Sequence, residues 1–152
     1  MQTRRKTLKQ SAVVAGLLAA SGMFPQYAFA AFNKVAFEAK SLADVLKAMG
    51  AGAPVESKDV TIGGPDIAEN GAVVPLTAST SLPGAKQILI LVEKNPSALI
   101  AVFNVTDSVD ANFATRAKMG QSSDVYAVAI MADGKVLFAK KEVKVTLGGC
   151  GG

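Results

Sequence analysis

The sequence contains no histidine, no tryptophan and a single cysteine, Cys150, among 152 residues, a length suited to one ordinary domain. Because zinc, copper and haem sites are usually built on histidine and cysteine ligands, the usual forms of these sites are excluded. A Ser-His-Asp triad and a Cys-His pair are excluded for the same reason. One cysteine cannot form a disulfide within the chain. We therefore expect no metal centre and no cofactor.

Acidic residues are absent from the first thirty positions, which contain Arg4, Arg5, Lys6 and Lys9. Removing these four from the 16 basic residues of the chain leaves 12, equal to the 12 acidic residues, so residues 31–152 have no formal net charge. The sequence pI near 9.3 is therefore a property of the N-terminal segment. It does not indicate nucleic acid or a membrane surface as a partner.

Residues 1–30 have the organisation of an export signal peptide. A basic start is followed by an apolar run over 13–20, which is too short to span a bilayer comfortably. An A-x-A pattern ending at Ala30 predicts cleavage before Ala31. The segment 3–9, with its paired arginines, resembles the twin-arginine motif, which implies export of a folded protein to the periplasm. An ordinary general-secretion signal is the alternative.

The mature chain is predicted to consist of a domain over 31–147 and an arm over 148–152. The domain begins with one helical pattern, in which Ser41 opens a capping box before Gly50 ends the pattern. Between them, apolar residues recur at helical spacing at positions 42, 45, 46 and 49.

Short β-rich runs separated by turn residues follow this helix. They are 60–62, 72–80, 88–92, 98–105, 123–131 and 135–147. Asp133-Gly134 lies between the last two runs and predicts a tight two-residue antiparallel hairpin. We therefore predict a mainly β fold, an immunoglobulin-like antiparallel β-sandwich with a short N-terminal helix.

Three of the predicted strands are apolar on both faces, which a sandwich with one face in water does not require. These strands are 88–92, 99–103 and 125–131. As neighbours they would form an apolar patch larger than a soluble monomer normally exposes, so we expect a partner subunit to cover it. The alternative is that the helix and the N-terminal segment bury this face within the chain. The final strand instead alternates apolar and polar residues, as a surface strand does.

The tail Gly148-Gly149-Cys150-Gly151-Gly152 follows Leu147, the last residue with a side chain suited to anchoring. Glycine loses much conformational entropy when it is fixed, so this arm is expected to be flexible. When extended, it can hold the thiol roughly 10 Å from the domain. No cation, histidine or helix N-terminus lies beside Cys150 in the sequence to favour its thiolate. We therefore expect partner enzymes to activate this cysteine.

The C-terminal run 143–152, the internal run 67–75 and the shorter run 116–119 resemble the SoxY family, the sulfur-carrier subunits of the bacterial Sox thiosulfate-oxidising system. The Gly-Gly-Cys-Gly-Gly end is highly specific for that family, and the twin-arginine signal agrees with it. The resemblance implies an immunoglobulin-like fold. It also implies that Cys150 is the covalent attachment site for sulfur intermediates, with the neighbouring glycines as a swinging arm.

The resemblance further implies the partners. The carrier forms a heterodimer with a second β-sandwich subunit, SoxZ. A haem c-type cytochrome complex joins thiosulfate to Cys150 as an S-thiosulfonate, and a hydrolase then releases sulfate and leaves a persulfide. Some systems also possess a sulfur dehydrogenase. The chain is thus expected to be a substrate carrier and not an enzyme, with no catalytic residue of its own.

Two other classes of function remain open from the residues. The terminal Gly-Gly resembles ubiquitin-like sulfur carriers that bear a C-terminal thiocarboxylate, although an exported location argues against the ATP that this chemistry requires. A structural or adhesion sandwich accounts for the strands but not for the arm.

Overall fold

The computed structural model describes residues 33–146, which begin with two short helices. Helix α1 spans Lys34–Glu38 and helix α2 spans Leu42–Ala48. The hydroxyl of Ser41 accepts a hydrogen bond from the Asp44 amide at 3.2 Å and donates one to the Asp44 carboxylate at 2.7 Å. The predicted cap of α2 is thereby confirmed. Helix α1 is not anticipated by the sequence pattern, because five residues are too few to display a helical period.

The strands within residues 33–146 are short, and six of the nine follow the predicted runs. They are β1 (Pro54–Glu56), β2 (Val60–Gly63), β3 (Ile67–Ala68), β4 (Val74–Thr80), β5 (Ala85–Val92), β6 (Leu99–Asn104), β7 (Asn112–Ala117), β8 (Ser123–Met131) and β9 (Val136–Val145). Strands β1, β3 and β7 are absent from the sequence-based prediction. Two of these have only two or three residues, and β7 mixes polar and small residues in a pattern that does not stand out as a strand.

The strands form two sheets. One has six strands, in the order β1-β9-β8-β5-β6 with β3 also paired to β9, and the other has the order β2-β4-β7. The mainly β sandwich predicted from the sequence is confirmed. It is not wholly antiparallel, because β1 and β3 both run parallel to β9. These two short strands cover the edge of β9 that β8 leaves free, one near its beginning and one at its end.

The inner core lies between the two sheets. Alternate residues of β5 and β8 point into it, and they meet the inward residues of β2, β4, β7 and the second half of β9. Its members include Leu76, Ile88, Ile90, Val92, Val125, Ala127 and Val143, all buried. Buried residues alternate with more exposed ones along β4, as expected for a strand with one face in water.

A second core lies on the opposite face of the six-stranded sheet, and it corrects one sequence-based expectation. Leu89 and Val128 point away from the inner core, yet both have 0% exposure. They pack against Val45 and Leu46 of α2 and Ala36 of α1. The expectation that a partner subunit covers the doubly apolar strands is therefore wrong. The helices cover them within the chain, and the fold has three layers.

The hairpin between β8 and β9 is confirmed, with a turn one residue longer than predicted. Met131 pairs with Lys135 through a 2.9 Å hydrogen bond from its amide, and the Gly134 amide donates to the Met131 carbonyl at 3.1 Å. The Met131–Lys135 pair therefore encloses a loop of three residues, 132–134. Gly134 has φ of 86°, the left-handed conformation that three-residue hairpins place at this position.

Candidate functional site

The residues singled out for sulfur carriage lie outside the described part of the chain. These are Cys150 and the glycines Gly148, Gly149, Gly151 and Gly152, and the export residues Arg4, Arg5, Ala30 and Ala31 lie outside it as well. The description ends at Thr146, four positions before the cysteine. What the structure shows is the part of the domain from which the arm extends.

The last residues of β9 are held on both sides. On one side the Val145 amide donates to the Ser122 hydroxyl at 2.9 Å. On the other side the Lys144 amide donates to the Asp66 carbonyl at 2.9 Å, and the Thr146 amide donates to the Ala68 carbonyl at 3.1 Å. Because three successive amides are bonded, the backbone is fixed as far as Thr146, one residue before the predicted end of the domain.

The two internal runs that carry the family resemblance meet at this point. The Met119 amide donates to the Gly71 carbonyl at 2.7 Å, and Val74 pairs with Ala117 where β4 meets β7. Ala68 pairs with Val145 where β3 meets β9. Runs 67–75, 116–119 and 143–146, which are distant in the sequence, thus form one structural unit at the end of β9.

Gly71 allows these runs to approach each other closely. A Cβ at this position would lie 2.8 Å from Cγ1 of Val145 and would overlap the carbonyl oxygen of Met119. Backbone oxygen cannot move aside as the end of a long side chain can. Gly71 is therefore required by close packing at the end of β9, a role that the sequence pattern does not reveal.

An ion pair fixes the loop that precedes β3. Nζ of Lys141 lies 2.8 Å from Oδ1 of Asp66 and donates to the Gly64 carbonyl at 2.6 Å. The hydrogen bond from Lys141, followed by its charge, lowers the pKa of the Asp66 carboxyl below its usual value. Lys141 interrupts the apolar alternation of β9 on the inward side. That interruption is the sequence signal by which this contact could have been found.

Three basic side chains and a cleft at this end of the sandwich are open to solvent. Arg116, Lys118 and Lys144 are exposed. A cleft of about 510 Å³ opens beside Lys118, with Leu99 and Ile100 in its wall.

Metal-ligating side chains do not cluster in the described part of the chain. Within residues 33–146, no three histidine, cysteine, aspartate or glutamate side chains are grouped as metal ligands. Tyr126 is nearly buried in the helix-side core and donates a hydrogen bond to Glu93 at 3.2 Å. Burial first, and then Glu93, raise the pKa of the tyrosine to about 12, so it is a neutral donor at ordinary pH.

The helices of the described part, α1 and α2, are too short to cross a membrane.

Comparison with known proteins identifies relatives over most of the chain. A family model described as "Sulfur oxidation protein SoxY" matches residues 45–150, a range that includes the three converging runs and the cysteine position. The solved structure of the sulfur carrier protein SoxY from Chlorobium limicola f thiosulfatophilum is similar at 35% identity and a TM-score of 0.62. That match covers 69% of this chain and 94% of the other. No curated protein sequence matches the chain.

A variant of the superoxide reductase (neelaredoxin) from Ignicoccus hospitalis is similar at 16% identity and a TM-score of 0.52. This match covers 57% of the chain and 79% of the other. At so low an identity the likeness extends to the fold alone.

Proposed function

We propose that this chain, which belongs to the SoxY family of sulfur oxidation proteins, holds the intermediates of thiosulfate oxidation covalently on Cys150. Membership of the family supports a carrier role in sulfur oxidation. The observation that carries the proposal further is the immobilised end of β9, where three bonded amides precede a tail of four glycines around one cysteine. A carrier that presents cargo to several enzymes needs a fixed base and a slender tether.

The chemistry on the cysteine is an oxidation followed by a hydrolysis. In the first step a c-type cytochrome complex removes two electrons while the thiol sulfur bonds to the outer sulfur of thiosulfate, and the thiol proton is released. In the second step water cleaves the S-thiosulfonate, so that sulfate and a proton leave and a persulfide stays on Cys150. In systems that possess a sulfur dehydrogenase, that enzyme withdraws electrons from the outer persulfide sulfur while water supplies oxygen and protons are released, and a second hydrolysis then releases sulfate and returns the thiol. All catalytic groups belong to the enzymes, and the chain supplies a sulfur atom and reach.

The carrier is proposed to work as a heterodimer with a second β-sandwich subunit of the SoxZ kind. The outward faces of β5 and β8 are not available for that subunit, because α1 and α2 cover them. A mutation such as Val128→Lys therefore tests the fold and not the association.

The place of action is proposed to be the periplasm, reached through the twin-arginine pathway and after cleavage between Ala30 and Ala31. The motif at Arg4 and Arg5 supports this route. The double variant Arg4→Lys, Arg5→Lys should leave full-length precursor in the cytoplasm. Normal periplasmic levels of that variant would show that another export route is used.

Intact-mass analysis tests the carrier proposal directly. The purified complex is incubated with thiosulfate and the cytochrome complex, and peptide mapping then locates any adduct. We expect one thiosulfonate adduct on Cys150 and its conversion to a persulfide when the hydrolase is added. Cys150→Ser has nearly the same size but cannot form a persulfide, so it should carry no adduct and melt at the same temperature.

Other outcomes of that experiment favour other functions. Cargo on the C-terminal carboxyl of Gly152 would indicate a thiocarboxylate carrier. No cargo on the wild-type chain under conditions that load a known carrier would leave a structural sandwich as the better interpretation.

A further inference from the structure

Exposed apolar side chains are few in the described part of the chain, and two of them lie beside the end of β9. Ile67 is 56% exposed and Val73 is 50% exposed. The other large exposed hydrophobic residues within 33–146 lie elsewhere, at Val35, Val55 and Val109. A single exposed apolar residue needs no explanation. Two exposed apolar residues in the run 67–75, which contacts the end of β9, do need one.

Ile67 and Val73 are positioned by the contacts that fix β9. Ile67 lies opposite Lys144 in the parallel pairing of β3 with β9. Val73 closes the turn around Gly71, with its amide donating to the Asn70 carbonyl at 3.3 Å. Because this backbone is bonded, the two side chains are held at the surface and cannot fold inward with the loop.

Positive charge accompanies these apolar residues. Arg116, Lys118 and Lys144 are all exposed at this end of the sandwich. The ion pairs found within residues 33–146 join other residues, namely Lys34 with Glu38, Asp133 with Lys135, and Asp66 with Lys141. Glu69 is also exposed in the run 67–75, so the three cations of runs 67–75, 116–119 and 143–146 face one acid and leave an excess of two positive charges (3 − 1), whereas the mature chain as a whole has no formal net charge.

The length of the arm limits how far an enzyme can stay from this surface. Cys150 is four positions beyond Thr146, so a fully extended chain places it about 14 Å from that residue. An enzyme that encloses the thiol in an active-site channel must therefore bring the channel entrance close to the end of β9. The side chains around the end of β9 would then face the entrance of the enzyme's active-site channel.

We propose that Ile67, Val73, Arg116, Lys118 and Lys144, which we call the arm collar, form the docking surface for the enzymes that act on the cysteine-bound cargo. The enzymes are expected to present an apolar entrance rim that bears acidic side chains. This inference rests on the proposed function, because it requires an enzyme that encloses the thiol. Apolar contact at Ile67 and Val73 stabilises the docked complex, while the cations mainly raise the rate of association.

Steady-state loading by the thiosulfate-oxidising complex tests the arm collar, with the full carrier in complex with its partner subunit as the substrate. Ile67→Asp and Val73→Asp should each raise the KM for the carrier about tenfold and leave kcat unchanged, because a buried charge opposes docking but not chemistry. Val109→Asp is the matched control. Val109 is 46% exposed and lies between β6 and β7 at the opposite end of the sandwich, so its KM should equal that of the wild type.

Two further measurements separate docking from other effects. Iodoacetamide should alkylate Cys150 at the same rate in all these variants, because a small reagent needs no docking. Loading of the wild type should slow as ionic strength rises, and Lys118→Glu should weaken that dependence.

The possible failures are distinguishable. If the wild type is loaded and the collar variants have the same KM as the wild type, the arm collar is wrong and the carrier function stands. Collar variants that lose the partner subunit on size-exclusion chromatography would also overturn it, since the surface would then belong to the subunit interface. A wild type that is never loaded would overturn the carrier function and the arm collar with it.

Discussion

Strand β9 and the sequence that follows it differ in composition. Strand β9 is paired with β8 along one edge and with β1 and β3 along the other, and its last amides are bonded to Ser122, Asp66 and Ala68. After Thr146 the sequence continues with Leu147, the last residue with a side chain suited to anchoring, and then with four glycines and a cysteine. The proposed carrier function assigns position to the strand and reach to the residues after it. Mutations in β9 should therefore act through stability, and mutations in the arm through turnover.

The largest expected effect is on β9 itself. Val143→Lys places a charge in the inner core, where Val143 has 0% exposure, and should lower the free energy of unfolding by more than about 4 kcal/mol. The neighbouring Glu142 is exposed, and Glu142→Ala should change that free energy by less than about 0.5 kcal/mol. Urea unfolding of both variants gives the comparison. Equal midpoints would show that β9 does not contribute to the core as described.

A smaller effect is expected at the contact between the two internal runs. Gly71→Ala introduces a Cβ against the Met119 carbonyl and Val145, so about 1–3 kcal/mol of stability should be lost. Gly120→Ala is the control, because nothing lies within 4 Å of a Cβ there. Hydrogen exchange at the Val145 and Thr146 amides should increase in Gly71→Ala only. Unchanged hydrogen exchange at these amides in Gly71→Ala would show that Gly71 does not contribute to holding the end of β9.

The arm should show no effect on stability and a moderate one on turnover. Gly148→Pro with Gly149→Pro fixes φ near −65° and thickens the tether while the thiol is retained. We expect turnover by the partner enzymes to fall about tenfold, equivalent to about 1.4 kcal/mol, with an unchanged urea midpoint. Reaction of Cys150 with iodoacetamide should be normal. A variant with alanine at both positions should be intermediate.

The diproline variant decides between two accounts of the glycines. Loading and unloading of its arm at wild-type rates would mean that slenderness and flexibility are not what the glycines provide. The cysteine would then react from a docked, preformed site.

The sandwich was predictable from the sequence because its long strands have strong local signals. The runs that became β4, β5, β6, β8 and β9 are β-rich and bounded by turn residues. The cap at Ser41 is equally local, since its partner is three residues away. Short elements carry too few residues for a period to appear, and for that reason α1, β1 and β3 were missed.

The burial of the strands that are apolar on both faces shows what a local sequence pattern cannot predict. The sequence indicates that both faces of 88–92 must be buried, but a partner and a pair of helices would satisfy the same pattern. Leu89 and Leu91 contact residues more than forty positions away in α1 and α2. Only the tertiary structure shows that the helices, and not a partner subunit, bury this face.

The residue types alone define the chemistry open to this protein. With no histidine and one cysteine set between glycines, covalent carriage at Cys150 is the reaction that its residues best support. How the cysteine is presented depends instead on folding. Runs 67–75 and 116–119 are brought to the end of β9 by pairing between strands far apart in the chain, and the close approach at Gly71 exists only when those strands have packed. Reactivity belongs to single residues, whereas position depends on long-range contacts that no local pattern specifies.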